Sequence, residues 1–143
     1  MVLCDVNVLV YAFRRDVDQH ARCAAWLGEL VDGDEAFGIT DQVLSGFLRV
    51  VTHPRIWHQP SRPETALGFS EALRGAPNAV TIAPGPRHWG IFTRLVRASR
   101  AKGNLLADAY LAAIAIESGC EWASTDGDYA RFPGLRWVNP LAG

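Results

Sequence analysis

Val2-Leu3-Cys4 is a run of three apolar residues that stops at Asp5, and a short run bounded in this way predicts a strand buried on both faces. The chain turns apolar again over residues 6–13, enough for a first helix. Across 17–31, Ala21, Ala24, Ala25, Trp26 and Leu30 return near helical spacing until Asp32-Gly33-Asp34 breaks the pattern. Residues 37–40 predict a second strand. Thr40 then stands at an N-cap position, and Val43, Leu44, Phe47, Val50 and Val51 lay an apolar stripe along a helix predicted over 42–51. His53-Pro54 ends it.

Residues 55–63 have loop chemistry, and Pro63-Glu64 suits the first turn of a helix running to about Leu73. A third strand is predicted over 79–83. After the turn Pro84-Gly85-Pro86 comes a basic helix over 87–101, closed by Lys102-Gly103-Asn104. A further helix is predicted over 106–117, with Asp108 in its first turn. A strand over 120–124, a short helix near 129–132 and a last strand over 135–138 complete the pattern. Strands and helices alternate throughout, so the expected fold class is α/β, a parallel sheet flanked by helices. With no repeat, linker or low-complexity tract, residues 1–143 read as a single domain.

Composition narrows this picture. Apolar residues make up 49% of the chain and charged residues 20%, as in ordinary globular proteins. No apolar run is long enough to span a bilayer, so no membrane association is expected, and no basic segment leads into an apolar leader; a cytoplasmic location is expected. Cys4, Cys23 and Cys120 are odd in number, far apart and without a C-x-x-C pair, which predicts buried free thiols. The net charge of -1 argues against a protein that grips nucleic acid over its whole surface. A nucleic-acid enzyme with this balance needs local positive charge.

The candidate chemistry lies in three carboxylates. Ligands of open α/β sheets bind beyond the carboxyl ends of the strands, where Asp5 and Asp126 both fall, and Asp108 can join them from a helix N-terminus. Carboxylates about 4 Å apart repel by on the order of 4 kcal/mol at an effective dielectric near 20, and a divalent cation is the usual remedy. Oxygen-only ligands suit Mg²⁺ or Mn²⁺, and Mg²⁺ commonly combines one or two carboxylates with waters and phosphate oxygens. That favours phosphodiester chemistry. Each aspartate alone equally suits a helix cap or a turn.

Taken together, Leu3-Cys4-Asp5-Val6-Asn7, Leu106-Ala107-Asp108-Ala109-Tyr110-Leu111-Ala112 and Ser124-Thr125-Asp126-Gly127-Asp128-Tyr129 resemble the PIN-domain family, and more closely its VapC-type toxins. Further pieces of the resemblance are residues 8–13, 47–54 and 132–137. It implies a PIN-like three-layer α/β/α sandwich with a mostly parallel sheet. It also implies a Mg²⁺- or Mn²⁺-dependent endoribonuclease, the toxin of a type II toxin–antitoxin pair, that cuts structured RNA (tRNA or rRNA) to inhibit translation. Asp5 and Asp108 are then the metal ligands and Asp126 completes the catalytic acids. Asn7 and Thr125 are supporting hydrogen-bonding neighbours, and Asp128 a supporting or substitute carboxylate. A homodimer and a cognate VapB-type antitoxin are implied as well.

The chain departs from the family at one point. Aligning Val43-Leu44-Ser45 with the family pattern puts Gly46 where a glutamate is usual. Asp41 is the nearest acid, but five residues turn a helix by about 140°, onto another face. Asp41 therefore either belongs to the helix N-terminus or serves at the metal. Arg87, Arg94, Arg97, Arg100 and Lys102 gather on one helix and its end, either to guide an RNA backbone or as a solvated face. Trp57 is a candidate for stacking on an RNA base or for a partner contact, whereas Trp26 and Trp122 suit the core. His53, His58 and His88 lack metal-ligand spacing and read as surface or capping residues. The alternative to an enzyme is a non-catalytic RNA- or partner-binding module with a degenerate acidic site.

Overall fold

A computed structural model describes residues 1–142. The chain runs β1 (Val2–Cys4), α1 (Val6–Phe13), α2 (His20–Asp32), β2 (Phe37–Ile39), α3 (Asp41–Val51), α4 (Pro63–Arg74), β3 (Ala79–Thr81), α5 (His88–Ser99), α6 (Asn104–Ser118), β4 (Glu121–Ala123), a 3₁₀ turn (Gly127–Arg131) and β5 (Trp137–Val138). The five strands form one sheet in the order β3-β2-β1-β4-β5, and every pairing is parallel. Right-handed crossovers from β1 to β2 to β3 put α1 to α4 on one face, and the return to β4 puts α5 and α6 on the other. The helix packing agrees: α1 lies against α2 and α3, α3 against α4, and α5 against α6. The result is an α/β/α sandwich.

Each layer follows from side-chain size. Leu3, Phe37, Ile39, Trp122 and Ala123 fill the sheet, and Val8, Leu9, Val43, Phe47 and Val51 of α1 and α3 cover one side of it. Phe13, Phe47 and Phe69 join α1, α3 and α4 through ring centroids 5.1 to 5.3 Å apart. On the other face α6 carries Ala109, Ala112, Ala113 and Ala115, all fully buried. Small side chains on several faces let this helix sit between α5 and the sheet. Cys4, Cys23 and Cys120 are buried free thiols, as expected, and burial pushes the Cys4 thiol up to about 12. Trp26 is half-buried and packs on the core, and Trp122 lies wholly inside it.

Several boundaries differ from the sequence reading. The α2 helix starts at His20 rather than near 17, and α6 starts at Asn104, two residues early. Asp108 is therefore the fifth helical residue, two residues deeper than its predicted place, because Gly103, with φ 60°, starts the helix sooner than the apolar pattern shows. His88 is not a surface residue: it is 3% exposed and its Nε2 lies 2.9 Å from the Tyr110 carbonyl, stapling α5 to α6. Among the described residues no helix is long and apolar enough to cross a membrane.

Gly38 marks the tightest point of the sheet. A Cβ there would lie 2.8 Å from both Leu3 Cδ2 and Ile82 Cδ1. Gly38→Ala is expected to destabilise the protein by about 1–3 kcal/mol through overpacking, measured as a lower urea midpoint with unchanged m-value.

Candidate active site

Strand order reverses at β1: β2 lies on one side of it and β4, reached from β3, on the other. Crevices at such switch points are where open α/β sheets bind ligands. Asp5 follows β1 directly, and its backbone N–H extends the ladder by donating to the Ala123 carbonyl at 2.8 Å. Extended backbone at Asp5 also makes it the N-cap of α1, with Oδ1 accepting from Val6 N at 2.7 Å. One residue thus ends a strand, starts a helix and points a carboxylate beyond the sheet.

The end of β4 supplies the matching half. Ser124 is wholly buried; its hydroxyl donates to Asp5 Oδ2 at 2.7 Å and accepts from Asn7 Nδ2 at 3.2 Å and from Asp126 N at 3.0 Å. Asn7 Oδ1 accepts from Thr125 N at 3.3 Å. Asp126 caps the 3₁₀ turn, its Oδ1 accepting from Asp128 N at 2.9 Å. That turn buries Tyr129 against Trp122 and aims the phenol at Asp108, whose Oδ1 accepts the hydroxyl hydrogen at 3.2 Å. Asp5, Asp108, Asp126 and Asn7 line one cleft of about 370 Å³, which no Lys, Arg or His of the described residues lines.

The cleft is acidic without an internal counter-charge, and its carboxyls respond. Burial is the largest influence on Asp5 and lifts it from 3.8 to about 6, against the lowering effect of its bonds to Ser124 and Val6; the Asp108 charge lifts it further. Asp108 is raised too, first by burial, then by Asp126 and Asp128, with the Tyr129 bond opposing. Burial and the same carboxylates push Tyr129 upward, so it stays a donor. Such shifts are what burial and mutual repulsion of carboxyl groups produce, and they mark the cleft as a candidate site. Among the described residues no three His, Cys, Asp or Glu side chains form a ready-made cage. An open set of carboxylate oxygens still fits a hard divalent ion that keeps waters and takes substrate oxygens.

The remaining expected residues divide. Thr125 contributes its backbone to Asn7. Asp128 is exposed, lies 3.7 Å from Arg131 and does not line the cleft; its backbone is what supports Asp126. Asp41 sits in the first turn of α3, where Arg74 of α4 binds its carboxylate at 3.0 and 3.4 Å, and it does not line the cleft. Arg87 is partly committed: its backbone N–H donates to Glu117 Oε2 at 2.9 Å and its guanidinium to the Glu117 carbonyl at 3.1 Å. Arg94, Arg97, Arg100 and Lys102 are exposed and form no ion pair with any described residue. Ser124 and Tyr129 stood inside the recognised motif without a role. A serine before the acid, and an aromatic three residues after it, were the available signals.

Gly46 has a steric cause. A Cβ there would lie 2.9 Å from Val6 Cγ2, and Val6 is β-branched and stiff. The side chain that follows Asp5 therefore occupies the space through which a glutamate at position 46 would leave its helix.

Two measurements test this description. Asp5 is protonated more readily folded than unfolded, so its burial costs nothing below pH 3.8, and the penalty grows to roughly 3 kcal/mol above pH 6. In chelator, stability is expected to fall as pH rises from about 4 to 6, by several degrees in Tm; Asp5→Asn should flatten that fall in calorimetry. Gly46→Ala should destabilise although alanine is the better helix former by about 1 kcal/mol. Adding Val6→Ala should recover part of that loss in a double-mutant cycle.

The comparisons with known proteins agree with this geometry. The PIN domain family matches residues 2–135. Ribonuclease VapC43 of Mycobacterium tuberculosis is 46% identical over 143 residues, covering 100% of this chain and 97% of the relative. Among solved structures, VapBC2 from Rickettsia felis bound to a promoter DNA fragment superposes with a TM-score of 0.71 at 17% identity, over 97% of this chain and 98% of its own. Mycobacterium tuberculosis VapC20, described as a sarcin-ricin loop cleaving toxin, gives 0.65 at 14% identity, over 95% and 99%. At those identities the structures speak for the fold, a PIN-like α/β/α sandwich. With the family match and the full-length relative, the chain belongs to the PIN domain family, within its VapC ribonucleases.

Proposed function

We propose that this protein is a Mg²⁺- or Mn²⁺-dependent endoribonuclease, the toxin of a toxin–antitoxin pair, and that it cuts structured RNA such as tRNA or rRNA to inhibit translation. The observation that carries the reading is the cleft at the β1/β4 switch point, where Asp5, Asp108 and Asp126 converge without a protein cation. Asp5 and Asp108 are the residues to hold the ion, with Asp126 completing the acids. A bound divalent cation supplies charge against the developing negative charge on phosphate and lowers the pKa of the attacking water.

The chain's own residues supply the positioning. Ser124 and Val6 fix both Asp5 oxygens, and Tyr129 fixes one oxygen of Asp108. Among the described residues only Oδ1 of Asp126 has a partner, which leaves Oδ2 to orient a water or an RNA hydroxyl. Arg94, Arg97, Arg100 and Lys102, on α5 and the turn into α6, suit contacts to the phosphate backbone. The structure of VapBC2 supports a VapB-type antitoxin as partner. Trp89, 67% exposed beside Phe92, offers an apolar patch suited to a homodimer. The position of Gly46 favours a second reading, a binding module without turnover.

Purified free of antitoxin, the protein is expected to cleave RNA with Mg²⁺ or Mn²⁺ and to stop in EDTA. Asp5→Asn and Asp108→Asn should each lower the rate by more than about a hundredfold, and Ser124→Ala, one bond removed from the ion, by about 10- to 100-fold. Cleavage that survives EDTA and both aspartate changes would sink the reading. RNA binding with no metal-dependent turnover would support the binding module. Mapping new RNA 5′ ends after induced expression identifies the target.

A further inference from the structure

The acidic cleft has a second wall of unlike chemistry. Tyr11, Val50, Ile56 and Trp57 line the same cleft as the carboxylates. Ile56 is 52% exposed, so it adds little to the core. Trp57 is different: it is half-buried, and its indole N–H donates to the Val50 carbonyl at 2.8 Å. The guanidinium carbon of Arg14 lies 4.0 Å from its ring centroid.

Arg14 is only 8% exposed, and it fastens the segment that carries this wall. Its NH1 donates to the Gln59 carbonyl and to Ser61 Oγ, both at 2.9 Å, while Nε and NH2 hold Asp16. Ser61 N donates to the Val51 carbonyl at 2.8 Å and Trp57 N to that of His53 at 3.3 Å. A loop tied at both ends and pinned through a buried cation meets a ligand already shaped.

We propose that Ile56 and Trp57, with Tyr11 beside them, form a base subsite that takes an unpaired nucleobase of the RNA next to the bond being cut, and that Arg14 is its positioning residue. The inference rests on the ribonuclease reading above. A phosphate drawn to the carboxylates through a cation brings its nucleoside into the same cleft of about 370 Å³, where the surface on offer is apolar. The Trp57 donor and four of the five N–H groups of Arg14 are spent within the protein, and of the wall's side-chain polar groups only the Tyr11 hydroxyl has no hydrogen bond to a described residue. With one free hydroxyl, such a wall offers little to a Watson–Crick edge. It accepts the face of any base, and a base stacked in a duplex has no free face to give. The enzyme is therefore selective for an unpaired nucleotide at this position and tolerant of which base it is.

The test uses a short single-stranded oligoribonucleotide carrying 2-aminopurine, whose fluorescence reports stacking, with Ca²⁺ as the divalent ion. The same strand annealed to its complement is the control. Ile56→Ala and Trp57→Leu should weaken single-strand binding by about 5- to 150-fold, and Trp57→Phe should restore most of it. Duplex should bind at least about tenfold more weakly than single strand to the unaltered protein. Arg14→Met should match Trp57→Leu, and the two together should cost no more than one alone. In cleavage assays KM should rise while kcat holds.

Ile56→Ala alters an exposed side chain, so it keeps the test valid even if the Arg14 or Trp57 variants fold poorly. Binding within twofold of the unaltered protein, equal affinity for duplex, or a loss confined to kcat would overturn the subsite. So would variants that bind RNA normally but release the co-expressed antitoxin, because the wall would then be a protein-docking surface. If the unaltered protein cleaves RNA and the wall variants are indifferent, the subsite alone fails; if it never cleaves with metal, the ribonuclease reading fails first.

Discussion

One hydroxyl group, that of Ser124, joins three residues of the cleft: it donates to Asp5 and accepts from the Asn7 amide and the Asp126 backbone. It is wholly buried, and so is nearly all of Asp5. A buried carboxylate without partners is expensive, and a partly satisfied network is worse than none. The pairing of β1 with β4 has to be exact at its carboxyl end, since a slip of one residue would move Ser124 to the other face of the sheet. Asp5, Asn7 and Asp126 are held in place by that register.

The same constraint explains the electrostatics. Folding pushes Asp5 and Asp108 away from the charged form that a metal ligand requires, and the hydrogen bonds of Ser124, Val6 and Tyr129 pull part of the way back. The balance leaves two carboxyl groups that ionise less readily than free ones. Val6 belongs to this balance as well. It lines the cleft, gives Asp5 its backbone donor and fills the space beside Gly46, so the short acidic complement and the packing of α1 on α3 are one feature.

Much of this was legible in the sequence because it is written in local patterns. Every strand and helix of the sheet layers has a periodic or apolar signature close to its observed bounds, and the three motifs containing Asp5, Asp108 and Asp126 stand at predicted element ends. What escaped was set by distant partners. Asp41 offered a helix terminus or a metal role, and nothing near it in the chain showed that Arg74, 33 residues on, would pair with it. His88 gave no sign of burial because its partner is a backbone carbonyl on α6. Ser124 and Tyr129 matter through residues far away in the chain, and no window of sequence displays such pairings.

The bond between Ser124 and Asp5 spans 119 positions, and it gives the cleft a place in time as well as in space. Synthesis makes the aspartate well before its hydroxyl partner, and the middle strand of the sheet waits for β4 while all the intervening helices are made. Contacts this distant in sequence form late, and chains are made at roughly 5–20 residues per second. A nascent chain on the ribosome therefore holds Asp5 without Ser124, Asp126 or Tyr129. For a protein whose proposed targets include the RNA of the machine that makes it, the order of residues acts as a delay: the cleft is assembled only after the long stretch between its two halves has been translated.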